Sequence, residues 1–161
     1  MQGDTKVIEH LNQILKNELT AINQYFLHSR MLRNWGVTRL AAHEHDESID
    51  EMKHADLLIE RILFLEGRPA LTLAPLLIGQ TVPEILDCDL KLEQKGLVDL
   101  RAAVAQCEAV HDFGTRDLLS GILDAEEKAV DFLETQMHLI EKIGVENYIQ
   151  LQSAGAKAGS D

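Results

Sequence analysis

With 161 residues and 45% apolar content, the chain is long enough for one domain with a real core and too apolar to be disordered. A formal net charge of −12 argues against nucleic acid as a partner, since that requires a basic footprint, and favours cations instead. Aromatics at 4% and three prolines favour helices over strands.

Met1 to Leu11 carries Asp4 and Glu9 and has no apolar core segment, so it does not read as a signal peptide. No apolar run approaches membrane-spanning length. Cys88 and Cys107 are too few for a disulfide framework. A cytoplasmic protein with reduced thiols is expected.

Asp4 is the expected N-cap of a first helix. Its inward stripe is Ile8, Leu11, Leu15, Glu18, Ile22, Tyr25, Ser29 and Leu32, with Leu19, Ile22 and Phe26 as a second apolar edge. Gly36 is its stop. A second helix runs from Val37 to Leu65 without Gly or Pro, its stripe being Leu40, Glu44, Glu47, Glu51, His54, Leu58, Ile62 and Leu65. Gly67 and Pro69 end it. Residues 66–82 break the helical pattern and are too apolar to float in solvent. A connection of that length can cross a whole bundle and set the next helix parallel to the second; its leucines are expected to pack on the bundle or on a neighbouring subunit.

Thr81 to Glu84 has the spacing of a capping box. The third stripe is Leu86, Leu90, Glu93, Leu97, Leu100, Val104, Cys107 and His111, and Gly114 marks the next turn. The fourth stripe is Leu119, Ile122, Glu126, Ala129, Leu133, Gln136 and Ile140, closed by Gly144. Val145 to Gln152 reads as a short fifth helix, and Ala154 to Asp161 as a frayed tail.

Glu18, Glu51, Glu93 and Glu126 each stand on the apolar stripe of a different helix. Glu51 follows Glu18 by 33 residues, and Glu126 follows Glu93 by the same 33. Any one glutamate alone is better read as solvent-facing. Four on-stripe at matched offsets are not. Ionised and unpaired in a core they would repel strongly, and two divalent ions would relieve that. Di-iron bundles use one Glu from each of two helices and Glu-x-x-His from each of the others. Glu18 and Glu93 fill the single roles, and Glu51 with His54 fills one pair. Glu126 opens the other, but residue 129 is alanine. Mixed carboxylate and imidazole ligation suits iron or manganese better than structural zinc.

Over nearly its whole length the sequence resembles the bacterioferritins. The resemblance is carried by ELTAINQYFLH (18–28), ESIDEMKHAD (47–56), IERILFLEG (59–67) and DFLETQ (131–136). It implies an all-α, ferritin-like four-helix bundle running up-down-down-up, with a long crossover between helices 2 and 3 and a short C-terminal fifth helix. Residues 1–153 would form the ferritin-like di-iron domain and 154–161 a flexible tail. It further implies iron storage in a hollow 24-subunit shell, ferroxidase activity at a dinuclear iron centre within each subunit, and a haem b shared by two subunits.

By position, Glu18, Glu51, His54, Glu93 and Glu126 match the ferroxidase ligands, with Glu51 and Glu126 bridging. The family's last ligand is a histidine where this chain has Ala129. Asp46 stands where many members carry a cavity-wall histidine, so Asp46 and Asp50 are further iron-binding candidates. Met52 matches the axial haem ligand, and that match outweighs the packing role a Met on a second apolar face more often has. Leu19, Ile22, Phe26 and Ile49 would wall the haem. Asn147 and Gln150 match residues of the four-fold channels; an ordinary helix surface is an equal reading. Tyr25 reads either as a group supporting the centre or as a buried phenol with a hydrogen-bond partner. A ferredoxin-like protein is the expected reductant, and neither nucleic acid nor membrane is an expected partner.

Ala129 leaves two readings open. In one the ferroxidase works with water or a shifted carboxylate in place of imidazole. In the other the chain is a haem-bearing shell subunit with an impaired centre, in a cage with a second subunit type. A DNA-protecting mini-ferritin and a purely structural bundle rank below both.

Overall fold

A computed structural model describes residues 1–153; the expected tail, 154–161, lies outside the described residues. Five helices follow in order: α1 (Thr5–Asn34), α2 (Thr38–Phe64), α3 (Val82–Ala109), α4 (Phe113–Ile143) and α5 (Val145–Ser153). The described residues contain no strand. The long helices pack as an all-α four-helix bundle, α1 lying along α2 and α3 along α4, with α1 also meeting α3. Short α5 closes one end against α4, α2 and α3. No helix among the described residues is long and apolar enough to cross a membrane.

Local chemistry sets the boundaries. The Asp4 carboxylate accepts a 3.0 Å hydrogen bond from the Val7 N–H at the start of α1. Thr81 caps α3 by accepting from the Glu84 N–H. Glu84 accepts in turn from the Gln80 N–H, one residue earlier than a capping box requires. The α3–α4 turn corrects the sequence reading. His111 is exposed and left-handed (φ 61°), so it does not continue the α3 stripe. Gly114 already lies inside α4, whose cap is Asp112, accepting from the Thr115 N–H and hydroxyl. Phe26 is 52% exposed, so the second edge of α1 faces outward at that end, while Leu19 and Ile22 are partly buried against the core.

The segment between α2 and α3 is an extended strap. α3 has 28 residues and is therefore about 42 Å long. A non-helical link of this size, fully extended, reaches about 50 Å, so α2 and α3 can run parallel. The strap is fastened to a polar stripe of α1 that the sequence reading did not single out. Asn12 donates to the Arg68 carbonyl and accepts from the Ala70 N–H. The Thr20 hydroxyl accepts from the Ala74 N–H, Gln24 from the Leu77 N–H, and His28 Nε2 from the Gly79 N–H at 3.1 Å. A Cβ on Gly79 would strike the backbone of Glu84 and Ile85. Leu71, Leu73 and Leu77 point outward, exposed.

The apolar core is divided. One cluster joins Leu11, Leu15, Leu58, Ile62, Leu100 and Leu119. The other, near α5, joins Leu32, Leu40, Ile85, Leu86, Leu133 and Tyr148. Each fully buried Leu or Ile contributes about 1.5–3 kcal/mol. Between the two clusters lies a layer of buried acids, and that layer carries the chemistry.

Candidate metal centre

Glu18 comes from α1, Glu51 and His54 from α2, Glu93 from α3 and Glu126 from α4. All four glutamates are buried, at 2–4% exposure. That burial sets aside the solvent-facing alternative. One ligand atom each from Glu18, Glu51, His54 and Glu126 falls within a 4.8 Å group. His54 Nδ1 is the hub, 3.4 Å from Glu18, 3.3 Å from Glu51 and 3.2 Å from Glu126. Glu93 stands just outside this group, its Oε1 accepting a 2.6 Å hydrogen bond from the Tyr25 hydroxyl.

Neither buried carboxylate oxygen of Glu126 has a well-directed hydrogen bond. Such groups are costly to leave unsatisfied. Burial raises the pKa of Glu18, Glu93 and Glu126, and Glu126 pushes Glu93 higher still. Burial works against a charged His54, yet Glu126 and Glu18 hold its imidazole up to about 10. A proton on His54 thus stands where a cation would do the same electrostatic work for every carboxylate at once. The donor set, carboxylate oxygens with one imidazole, suits a hard or borderline divalent ion such as ferrous iron.

Residue 129 is alanine, buried at 7%, and it opens onto a cleft of about 480 Å³ between α2 and α4. Glu47 and His43 line that cleft with Glu51 and Glu126. Burial, helped by Asp50, pushes the Glu47 carboxyl up to about 7. Asp50 also reaches the cleft rim, whereas Asp46 has its side chain 81% exposed and stands apart from the centre. Met52 is 55% exposed on the outer face of α2. Ile49 on that face, and Phe26 on α1, are exposed as well. Ile22 carries its carbonyl against the Ser48 hydroxyl and so joins the two helices at this surface. A soft thioether amid an outward apolar patch suits an apolar macrocycle that carries an iron. Asn147 and Gln150 are exposed on α5.

A second buried group went unnoticed in the sequence. Since His28 Nε2 accepts from Gly79, its Nδ1 carries the proton and donates to Asp89 Oδ1 at 2.8 Å. Gln24 donates to the same oxygen. Glu44, fully buried, has no partner on either oxygen, and Asp89 Oδ2 has none either. Burial and then Asp89 raise the Glu44 pKa well above the usual value. His28, Glu44 and Asp89 are close enough for a metal, but a donating Nδ1 leaves no ring lone pair for one. Glu44 lay on the expected stripe; only His28 on its α1 stripe and Asp89 on α3 were without a signal in apolar periodicity.

Comparison with known proteins gives the family. Residues 8–143 match the family model of the ferritin-like domain. The chain is 50% identical to a bacterioferritin of Brucella melitensis over 157 residues, covering 97% of this chain and 98% of that protein. It is 47% identical to a bacterial ferritin of Synechocystis, covering 94% and 99%, and 45% identical to a bacterioferritin of Rhodobacter capsulatus, covering 96% of each.

Proposed function

Because the chain belongs to the bacterioferritins, within the ferritin-like family, its role is iron storage, and we propose that it takes up ferrous iron at the four-helix centre and oxidises it there. The observation that carries this reading is the buried Glu18–Glu51–His54–Glu126 group, closed within 4.8 Å. Ferrous iron is the substrate. Glu51 and Glu126, on facing helices, would bridge a pair of ions, the arrangement by which two-metal sites hold two reacting centres close. His54 surrenders its proton as a cation arrives. Glu93, oriented by Tyr25, supplies the further carboxylate.

The exposed strap leucines and the apolar face around Met52 support assembly into a shell, read here as 24 subunits with the mineral inside. When bound, haem b supplies electron transfer to that mineral. Met52 from each of two copies would hold it, with Ile22, Phe26 and Ile49 as its walls. A ferredoxin-like protein is the reductant that fits, and the reducing cytoplasm its compartment.

Ala129 specifically favours a second reading, in which the centre is impaired and a second subunit type in a mixed cage performs rapid oxidation. Anaerobic loading of the purified homopolymer followed by oxygen separates the two. A fast phase consuming about two ferrous ions per subunit supports the ferroxidase. Slow oxidation that scales only with mineral already present supports the impaired subunit.

A further inference from the structure

Residue 129 lacks a donor, but the cleft beside it does not. The His43 ring stacks on Phe132 at 3.6 Å, and His54 meets Glu126 at 3.2 Å. These contacts fix α2 and α4 as antiparallel, so stepping back from His54 toward His43 runs forward from Glu126 toward Phe132. Glu47 lies between the two contacts on α2, and Ala129 lies between them on α4. Glu47 precedes Glu51 by one turn, so the two carboxylates leave the same face about 6 Å apart along the axis. Both line the cleft together with Ala129. His43 Nε2 stands 3.6 Å from Glu47 Oε1. Buried in the same wall, Glu126 has no well-directed hydrogen bond on either carboxylate oxygen, though His54 Nδ1 stands 3.2 Å from Oε1.

We propose that Glu47, positioned by His43, supplies the donor that residue 129 cannot, so that an α2 carboxylate completes the ligand set of the second cation. The inference rests on the dinuclear reading above. Glu47 moves inward from the cleft wall to join Glu51, Glu93 and Glu126. His43 is a positioning residue: clamped against Phe132, it faces Glu47 and limits where that carboxylate can swing. The exchange replaces a neutral imidazole by an anion, which biases the second position toward hard, oxygen-preferring ions.

Titration of the metal-free protein with Co²⁺ tests this without redox chemistry, because cobalt's visible absorption reports its ligands. The wild type is expected to bind two Co²⁺ per subunit, in a tighter and a weaker step. Glu47→Gln and Glu47→Ala should each weaken the second step by at least about tenfold, the scale on which even outer partners act, and leave the first unchanged. Ala129→His added to Glu47→Ala should restore it, and His43→Ala should weaken it less. Should Glu47→Ala not assemble, Glu47→Gln, which keeps the shape, carries the test. Two unaltered steps in both Glu47 variants overturn the proposal and leave the dinuclear centre standing. A single step indifferent to Glu47 overturns it as well. If wild type binds no Co²⁺ and Glu51→Ala changes nothing, the dinuclear reading itself has failed.

Discussion

His54 Nδ1 lies 3.2 Å from Glu126 Oε1, joining the second helix to the fourth across the centre of the bundle. The metal-free fold relies on this imidazolium. Its pKa is raised from 6.5 to about 10, so its contribution to stability is complete below pH 6.5 and is lost as the pH climbs through about 10. Glu18, Glu93 and Glu126 act in the same direction: burial raises them above 4.5, so the folded chain holds protons that the unfolded chain releases. Thermal melts of metal-free protein should therefore show Tm falling between pH 6.5 and 10. Saturating Co²⁺ should flatten that slope, and its affinity should rise with pH because binding displaces protons. A pH-independent Tm in the metal-free state contradicts the assignment.

Tyr25 and Glu93 form the shortest buried hydrogen bond at the centre, 2.6 Å. Tyr25→Phe removes the donor and leaves a buried acceptor, which should destabilise the metal-free protein by about 1–3 kcal/mol. Denaturant unfolding measures this. The same variant should slow the fast oxidation phase, since Glu93 loses the contact that orients it.

Ala129→His alone should accelerate the fast phase of ferrous oxidation, read by stopped-flow absorbance. An unchanged rate shows that residue 129 is not limiting. Packing tolerates the larger ring because the alanine borders a cleft rather than a filled core.

Met52→Leu should abolish the haem Soret band of reconstituted protein while leaving the subunit fold intact. Met52 is more than half exposed, and substitutions at such positions usually shift stability within about ±0.5 kcal/mol. Haem retained at full occupancy in the variant shows that the thioether is not the axial ligand.

The strap predicts a graded series. Thr20→Val removes one fastening, at the Ala74 N–H, and should cost ~1 kcal/mol; Asn12→Ala removes two, at the Arg68 carbonyl and the Ala70 N–H, and should cost more. Gly79→Ala should be far worse, because its Cβ meets backbone and not a movable side chain. Limited proteolysis within 66–81 reports the loosening, fastest for Gly79→Ala.

Much of this molecule was legible from apolar periodicity. The four stripes placed Glu18, Glu51, Glu93 and Glu126 inside, and all are buried. Asp4 and Thr81 capped their helices as their types and spacing required. The α3–α4 turn was misplaced because a glycine drew attention, whereas a non-glycine, His111, takes the left-handed conformation and Asp112 provides the cap. Asn12, Thr20, Gln24 and His28 were passed over for another reason. They recur at helical spacing, but a stripe of polar residues reads as solvated surface until an extended segment lies across it. Asp89 stayed hidden because its partner His28 is 61 residues away. The role of Glu47 could not be read at all without the register that His43 and Phe132 set between α2 and α4.

Two greasy ends hold the rods in place on either side of the acidic layer. The middle of the subunit is consequently free to lose, shift or replace a donor while the scaffold persists. In such an architecture the reactive groups can change while the shape that displays them stays.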